Sequence, residues 1–369
     1  MPQLDGLRAF AVLAVLCSHW LPWSNRVGHI GLAGVYLFFV LSGYLITRIL
    51  LRARDARETG QTSFSHTIKS FFGRRFLRIF PVYYLVVVAS YLLWPHLFGG
   101  ELLWNLLYMN NVLAVLQVNT TAINHFWSLA VEEQFYLLWP LVILLTPRKH
   151  LWKSILVVVL MGPMWRSLAL SMGWKHIVFT YLPWSNFDCL GLGALLAVLE
   201  HQPTERMVRV RSALLRVGFL LGILLWTVLA VLSFFILKRW RVVGDGPIYD
   251  LVFLLYPVAV ALVGIWLVAR AGHGMNGVAG AVLSAAPIRY MGTISYGIYI
   301  YHFFVQGLVD LGSSMWLGRE LETWPRFFCM LAMTLAVSAL SWHLFEKPIN
   351  TLKKYFPYKP PNTSTDPAG

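Results

Sequence analysis

The sequence predicts an all-α polytopic membrane protein of about ten transmembrane helices, with one re-entrant or interfacial segment. Three observations carry this. Of 369 residues, 58% are hydrophobic and only 12% are charged, whereas a soluble domain carries roughly a quarter charged residues. The mean hydropathy is +0.63. Apolar stretches of about 20 residues, the length that crosses a hydrocarbon core, recur from the first residues almost to the last. No water-soluble fold could hide that much apolar surface.

In chain order the predicted spans are Leu7–Trp23, Gly31–Leu51, Phe76–Trp94, Phe126–Leu145, Leu151–Ser171, Leu182–Leu199, Leu214–Leu237, Leu251–Ala269, Gly292–Leu311 and Trp324–Phe345. The first carries His19, lacks a small-residue cleavage site and leads almost at once into another span, so it reads as a retained helix rather than a signal peptide. Leu102–Leu116 is interrupted by Asn105, Asn110 and Asn111 and reads as re-entrant or interfacial. Residues 1–350 form one membrane domain, and residues 351–369 a cytoplasmic, disordered tail rich in Pro, Thr and Ser after Phe356. Gly31, Gly34 and Ser42-Gly43 in the second span mark close helix packing.

The net charge of +14 argues for topology rather than a nucleic-acid partner, because the basic residues are spread through short loops. With both termini in the cytoplasm, 22 of the 30 Lys and Arg lie on the cytoplasmic side, which the positive-inside rule demands. This predicts a multi-pass protein of the cytoplasmic membrane. Trp20, Trp23, Trp94, Trp184, Trp240, Trp316 and Trp324 fall at the predicted outer ends, where indole rings sit at the headgroup boundary. Cys17, Cys189 and Cys329 each lie in an apolar stretch and read as packing residues, with no disulfide framework.

Ionisable groups inside spans cost at least about 2.5 kcal/mol at a helix centre and therefore ask for a partner or a task. His19 follows Arg8 by three helical turns, so both leave the same face, ~16 Å apart. His19 is either a hydrogen-bonding group between helices or a chemical one. Glu132 and Glu133 enter from the outer side to about 9 Å below their helix start, close to the depth of His19. A carboxylate that reached the imidazole would fix its tautomer and make it a general base. Adjacent residues diverge by about 100°, so Glu132 is assigned to the core and Glu133 to a structural hydrogen bond. Asp188 either reaches the same cavity or bonds a neighbouring helix. Ser295, Tyr299 and His302 recur at i, i+4 and i+7 as one polar stripe. Tyr83 and Tyr84 either line the cavity or lie at the interface. His343 and Glu346 read as a cap or ion pair at the cytoplasmic end of the last helix.

At the cytoplasmic face Arg74, Arg75 and Arg78 open the third span, with Arg75 and Arg78 sharing a face. Paired guanidinium forks suit polyphosphate, and equally a positive-inside anchor touching anionic lipid headgroups. The histidines are scattered without ligand spacing, so no metal is expected. From these residues alone, a proton-coupled transporter or flippase of a glycan or lipid-linked sugar stands ahead of an enzyme, because buried His, Glu and Asp groups also build proton relays.

The chain resembles acyltransferase family 3, membrane proteins that O-acylate surface polysaccharides, lipopolysaccharide, peptidoglycan, antibiotics and related acceptors. The resemblance rests on Leu4-Asp-Gly-Leu-Arg8, Arg8-x10-His19, Gly34 to Ile46, Arg75-x-x-Arg78 with Ile79-Phe80-Pro81, Phe126 to Tyr136, Tyr301-His302, and Phe345-Glu-Lys-Pro348. It covers about residues 1 to 350 in the family's order. It implies an acyltransferase domain in which Arg8 and His19 are the essential pair, Arg75 and Arg78 belong to the donor side, and Glu132 to the Trp-Ser-x-x-x-Glu core. It also implies acetyl-CoA or another acyl-CoA as donor substrate, with no bound cofactor, and a glycan, lipid-linked glycan or small hydroxyl compound as acceptor. His19 is then a general base or a transient acyl carrier, and transport becomes the rival. Many relatives carry an appended extracytoplasmic hydrolase-like domain; the end of this chain soon after its last span predicts that the membrane domain or a separate partner handles the acceptor.

Overall fold

The computed structural model describes residues 1–358, apart from residues 22, 24–28, 96–100, 117–122, 175 and 241–246; residues 359–369 of the predicted tail lie outside the described residues. The described chain is almost wholly helical and contains no strand. It runs α1 (Pro2–Trp20), α2 (Ile30–Glu58), α3 (Phe64–Leu93), α4 (Leu102–Leu106), α5 (Asn110–Leu116), α6 (Trp127–Leu145), α7 (Arg148–Ser171) and α8 (His176–Tyr181). It continues with α9 (Phe187–Glu200), α10 (Glu205–Trp240), α11 (Pro247–His273), α12 (Gly277–Ser284), α13 (Ala286–Thr293), α14 (Ser295–Leu317), α15 (Thr323–Ser341) and α16 (Lys347–Thr351).

The ten longest of these helices follow the ten predicted spans in order. Length and composition vouch for seven of them as membrane-crossing: α2, α3, α6, α7, α10, α11 and α15. The helices α1, α9 and α14 take the places of the other three without meeting that measure, and α9, at 14 residues, is about 21 Å long against a core of about 30 Å. The re-entrant piece resolves into α4 and α5, which at five and seven residues are too short to cross. Two of their three asparagines donate side-chain hydrogen bonds, Asn105 to the Glu101 carbonyl at 3.0 Å and Asn111 to Gln134 Oε1 on α6 at 2.9 Å, while the buried Asn110 side chain has no partner among the described residues.

The centre of the bundle is α2 crossing α9, flanked by α1, α7 and α11. The crossing is tight because glycines sit at it. A Cβ on Gly43 would lie 1.9 Å from the Leu190 carbonyl oxygen, and one on Gly193 would lie 2.1 Å from that of Val40; small residues at a crossing let the backbones approach this closely. Gly31 and Gly34 play the same part against α1, as the sequence predicted.

At the ends of the bundle, several cations near helix termini are structural. Arg54 donates to the carbonyls of Ile143 and Thr146, both at 2.8 Å, and Arg57 to that of Leu144 at 2.8 Å, which satisfies the open carbonyls that end α6. Arg148 binds Asp55 and, at 2.7 Å, Glu58. Arg148 holds the Glu58 carboxyl well below the usual range, with help from Arg54. Among the tryptophans, Trp23, Trp94, Trp184, Trp316 and Trp324 are exposed. Trp20 is not a boundary anchor: it is buried against Phe327, ring centres 5.9 Å apart. The Trp240 side chain lies outside the described residues.

Candidate active site

One cavity of about 450 Å³ draws its walls from α1, α2, α3, α6, α14 and the segment after α16. Arg8, Arg74, Arg75, Arg78 and Lys353 line it, together with Glu132, Glu133, Ser42, Ser128, Ser295 and Tyr299. The start of α1 and the first turns of α3 place the cations at the end of the bundle that carries residue 1, which is therefore the basic face.

Local sequence explains the placement. Ser63 caps α3 by accepting the His66 N–H at 3.1 Å, so the helix begins at Phe64 rather than at the predicted Phe76. The three extra turns hold Arg74 and Arg75 rigidly instead of on a loop. On α6, Ser128 and Glu132 are spaced i, i+4 and share the face turned to the cavity.

The guanidinium groups differ in what holds them. Arg8 pairs with Asp5 at 2.6 Å. Arg74 donates to the carbonyls of Lys353 at 3.1 Å and Phe356 at 3.2 Å. Arg75 lies over the Tyr136 ring, 3.9 Å from its centre, a cation–π arrangement. Among the described residues, Arg75, Arg78 and Lys353 form no ion pair, so the cavity presents unneutralised positive charge.

The predicted pairing of His19 with Glu132 does not form. Glu132 accepts from Ser42 Oγ at 3.1 Å and from Tyr136 at 2.8 Å, and so steadies the ring that supports Arg75. His19 instead bonds His302, Nδ1 to Nε2 at 2.8 Å, with the two rings stacked. The reason is packing: the end of α1 meets α14, while Glu132 is turned toward α2 and α3. Nor does the divergence of adjacent side chains exclude Glu133, because the cavity is wide enough for both glutamates to line it.

The His302 contacts fix a tautomer. Its Nδ1 lies 2.6 Å from the Tyr299 carbonyl, which can only accept. In neutral rings the hydrogen of His302 is therefore on Nδ1, its Nε2 accepts, and His19 donates from Nδ1. The lone pair of His19 is left on Nε2, and the ring is exposed at the end of α1. A second chain leads back to the cavity: Ser128 Oγ donates to the Tyr299 hydroxyl at 2.6 Å, which donates to the His125 carbonyl at 2.6 Å. The α14 stripe puts Ser295 and Tyr299 on the cavity, but His302, predicted to line it as well, lies one turn beyond, turned to His19.

Besides His302, two predicted lining residues lie elsewhere. Tyr83 stacks on Tyr108 at 4.0 Å and donates to the Asn105 carbonyl at 2.8 Å, because the α4–α5 connection fills the space beside it. Asp188 is locked in a buried pair with Arg166 at 2.5 Å, which also donates to Leu254 at 3.0 Å and to the Ser185 carbonyl. His343 and Glu346 keep structural roles: His343 bonds Tyr290 at 3.0 Å, and Glu346 accepts from Ser341 at 3.0 Å. Sequence reasoning did not single out Ser128, Tyr136, Lys353 or Tyr358 as site residues. Ser128 was legible at i−4 from Glu132, whereas Lys353 and Tyr358 were not, since nothing local distinguishes them from a basic tail.

A family model described as an acyltransferase domain matches residues 1–343. The chain belongs to this acyltransferase family. It is 31% identical over 382 residues to the peptidoglycan O-acetyltransferase OatA of Listeria monocytogenes, covering 96% of this chain and 57% of that protein. It is 29% identical to YrhL of Bacillus subtilis, provisionally named a peptidoglycan O-acetyltransferase, covering 95% of this chain and 55% of that one. A Staphylococcus aureus protein, provisionally named an O-acetyltransferase, is 28% identical, with 94% and 57% covered. The chain thus spans a little over half the length of these relatives. No solved structure matches it. The match runs across α1 to α15, so the His19–His302 pair and all of the cavity lining except Lys353 and Tyr358 lie inside it.

Proposed function

We propose that this membrane protein is an O-acetyltransferase that moves an acyl group from cytoplasmic acyl-CoA to a hydroxyl of a glycan, a lipid-linked glycan or a similar acceptor. The observation that carries the reading is a cavity that holds unpaired cations at the basic face and abuts, through Tyr299, the histidine pair at the other end. The excess of Lys and Arg makes the basic face the cytoplasmic one, in the cytoplasmic membrane, with both termini on that side.

In this mechanism the donor diphosphate lies on Arg75 and Arg78, whose forks bind phosphate oxygens. The pantetheine arm runs along the apolar wall of Phe38, Phe39 and Leu129 toward Tyr299. His19 Nε2 takes the proton of the acceptor hydroxyl as its oxygen attacks the thioester carbonyl; the new C–O bond forms, the C–S bond breaks, and the thiolate leaves with the proton returned from His19. A single positioned base contributes about 10²- to 10⁴-fold. His302 holds His19 in the competent tautomer, the part the sequence had assigned to Glu132. Arg8 binds donor phosphate or stabilises developing charge. In a variant of the scheme His19 carries the acyl group between donor and acceptor. Family membership favours acyl transfer over transport, the reading that buried charges alone would favour.

The test is release of free CoA thiol by the full chain in lipid nanodiscs supplied with acetyl-CoA and peptidoglycan fragments. Thiol release that requires the acceptor and adds one acetyl mass to it supports the reading. Acceptor accumulation across the membrane without thiol release contradicts it.

A further inference from the structure

The segment that follows α15 runs through a π-helical turn (Trp342–Glu346), α16 and a 3-10 turn (Leu352–Tyr355), and ends at Tyr358. It lies back along α3 as a strap. His66 Nε2 and Ser70 Oγ both donate to the Pro357 carbonyl at 2.8 Å, and Arg74 holds the carbonyls of Lys353 and Phe356. Phe356 packs on Gly73 so closely that a Cβ there would lie 2.4 Å from the ring. These anchors grip the backbone and Phe356, leaving the Lys353 side chain to the cavity. Tyr358, its ring centre 5.3 Å from the Arg74 guanidinium, closes the same wall.

Lys353 is half-buried and stands among Arg74, Arg75 and Arg78 with no carboxylate paired to it among the described residues. Its neighbour Lys354 lies exposed over the Tyr355 ring. Like charges held together in a partly desolvated cavity repel, and a bound polyanion relieves that repulsion. We propose that Lys353 is a phosphate-binding residue of the donor site, delivered by the strap, which forms the last wall of the cavity at the basic face. The proposal rests on the reading of that cavity as the acyl-CoA site. It makes the strap, whose Lys353 and Phe356 lie outside the family match, a determinant of donor affinity.

The test is thermal unfolding of the full chain in nanodiscs, titrated separately with acetyl-CoA and inorganic pyrophosphate, since a ligand stabilises the state that binds it. Lys353→Met keeps the stem and removes the charge; it is expected to weaken acetyl-CoA about ten-fold, as loss of one charge-assisted bond does. Lys353→Arg restores binding. Phe356→Ala keeps every charge but frees the strap, and is expected to weaken acetyl-CoA several-fold; it also gives a route to the same answer if Lys353→Met lowers the ligand-free melting temperature. Wild-type stabilisation that Lys353→Met and Phe356→Ala leave unchanged overturns the proposal while sparing the donor reading. Stabilisation by pyrophosphate alone, dependent on Lys353, keeps the phosphate site and overturns acyl-CoA as its ligand. Stabilisation by neither overturns both.

Discussion

Two charged regions lie inside this bundle, and they are built on opposite plans. Around Arg166 every nitrogen of the guanidinium has a partner, in Asp188, Ser185 or Leu254, with both side chains almost wholly buried. Around Arg78 five cations line the cavity against two carboxylates, Glu132 and Glu133. Desolvating a charge is costly in both places. The first region meets that cost with protein atoms and is therefore architecture; the second leaves it to a ligand, which is what a binding site does. Charge inside a membrane protein is thus not itself a sign of function, and the state of its partners is what separates the two cases.

The comparison can be broken at several points. Asp188→Ala leaves Arg166 buried and unpaired and should cost about 3–5 kcal/mol, the usual penalty for removing one partner of a buried pair. The loss should show as a lower melting temperature and poor membrane yield. His302→Ala keeps the fold but frees His19 to rotate, and should lower turnover about 10²-fold at unchanged donor affinity; an equal loss in binding would place His302 in the donor site instead. Arg78→Gln removes an uncommitted cation, so stability should hold while the donor KM rises about ten-fold. Arg326, partly exposed and paired with Asp310 at 2.6 Å, lies on neither plan, and Arg326→Gln should change stability by about 1 kcal/mol or less.

Hydropathy made the helices legible in order, because burial in hydrocarbon demands continuous apolar stretches. It misplaced the start of α3, whose first turns from Phe64 are amphipathic, although Ser63 carried the capping signal. It also merged α13 with α14 across Ile294. Within the site, spacing along one helix was reliable: Ser295, Tyr299 and His302 share a stripe, and Arg75 and Arg78 share a cavity. Partners on different helices were not, since no single sequence reveals that α1 meets α14. Hence His19 was matched to Glu132 by depth alone, and Asp188 was offered to the cavity although Arg166 stands one helix away. Lys353 was invisible for the same reason, its role depending on contacts with Arg74 more than 270 residues earlier.

The most direct test is mass spectrometry of envelope glycans from cells lacking the gene, complemented with the intact chain or with His19→Ala present in the membrane at equal level. The account predicts an acyl mass increment on one glycan that vanishes on deletion, returns with the intact chain and stays absent with His19→Ala. An increment restored by His19→Ala would contradict the role of the histidine pair, and glycans identical in all three strains would contradict acyl transfer itself.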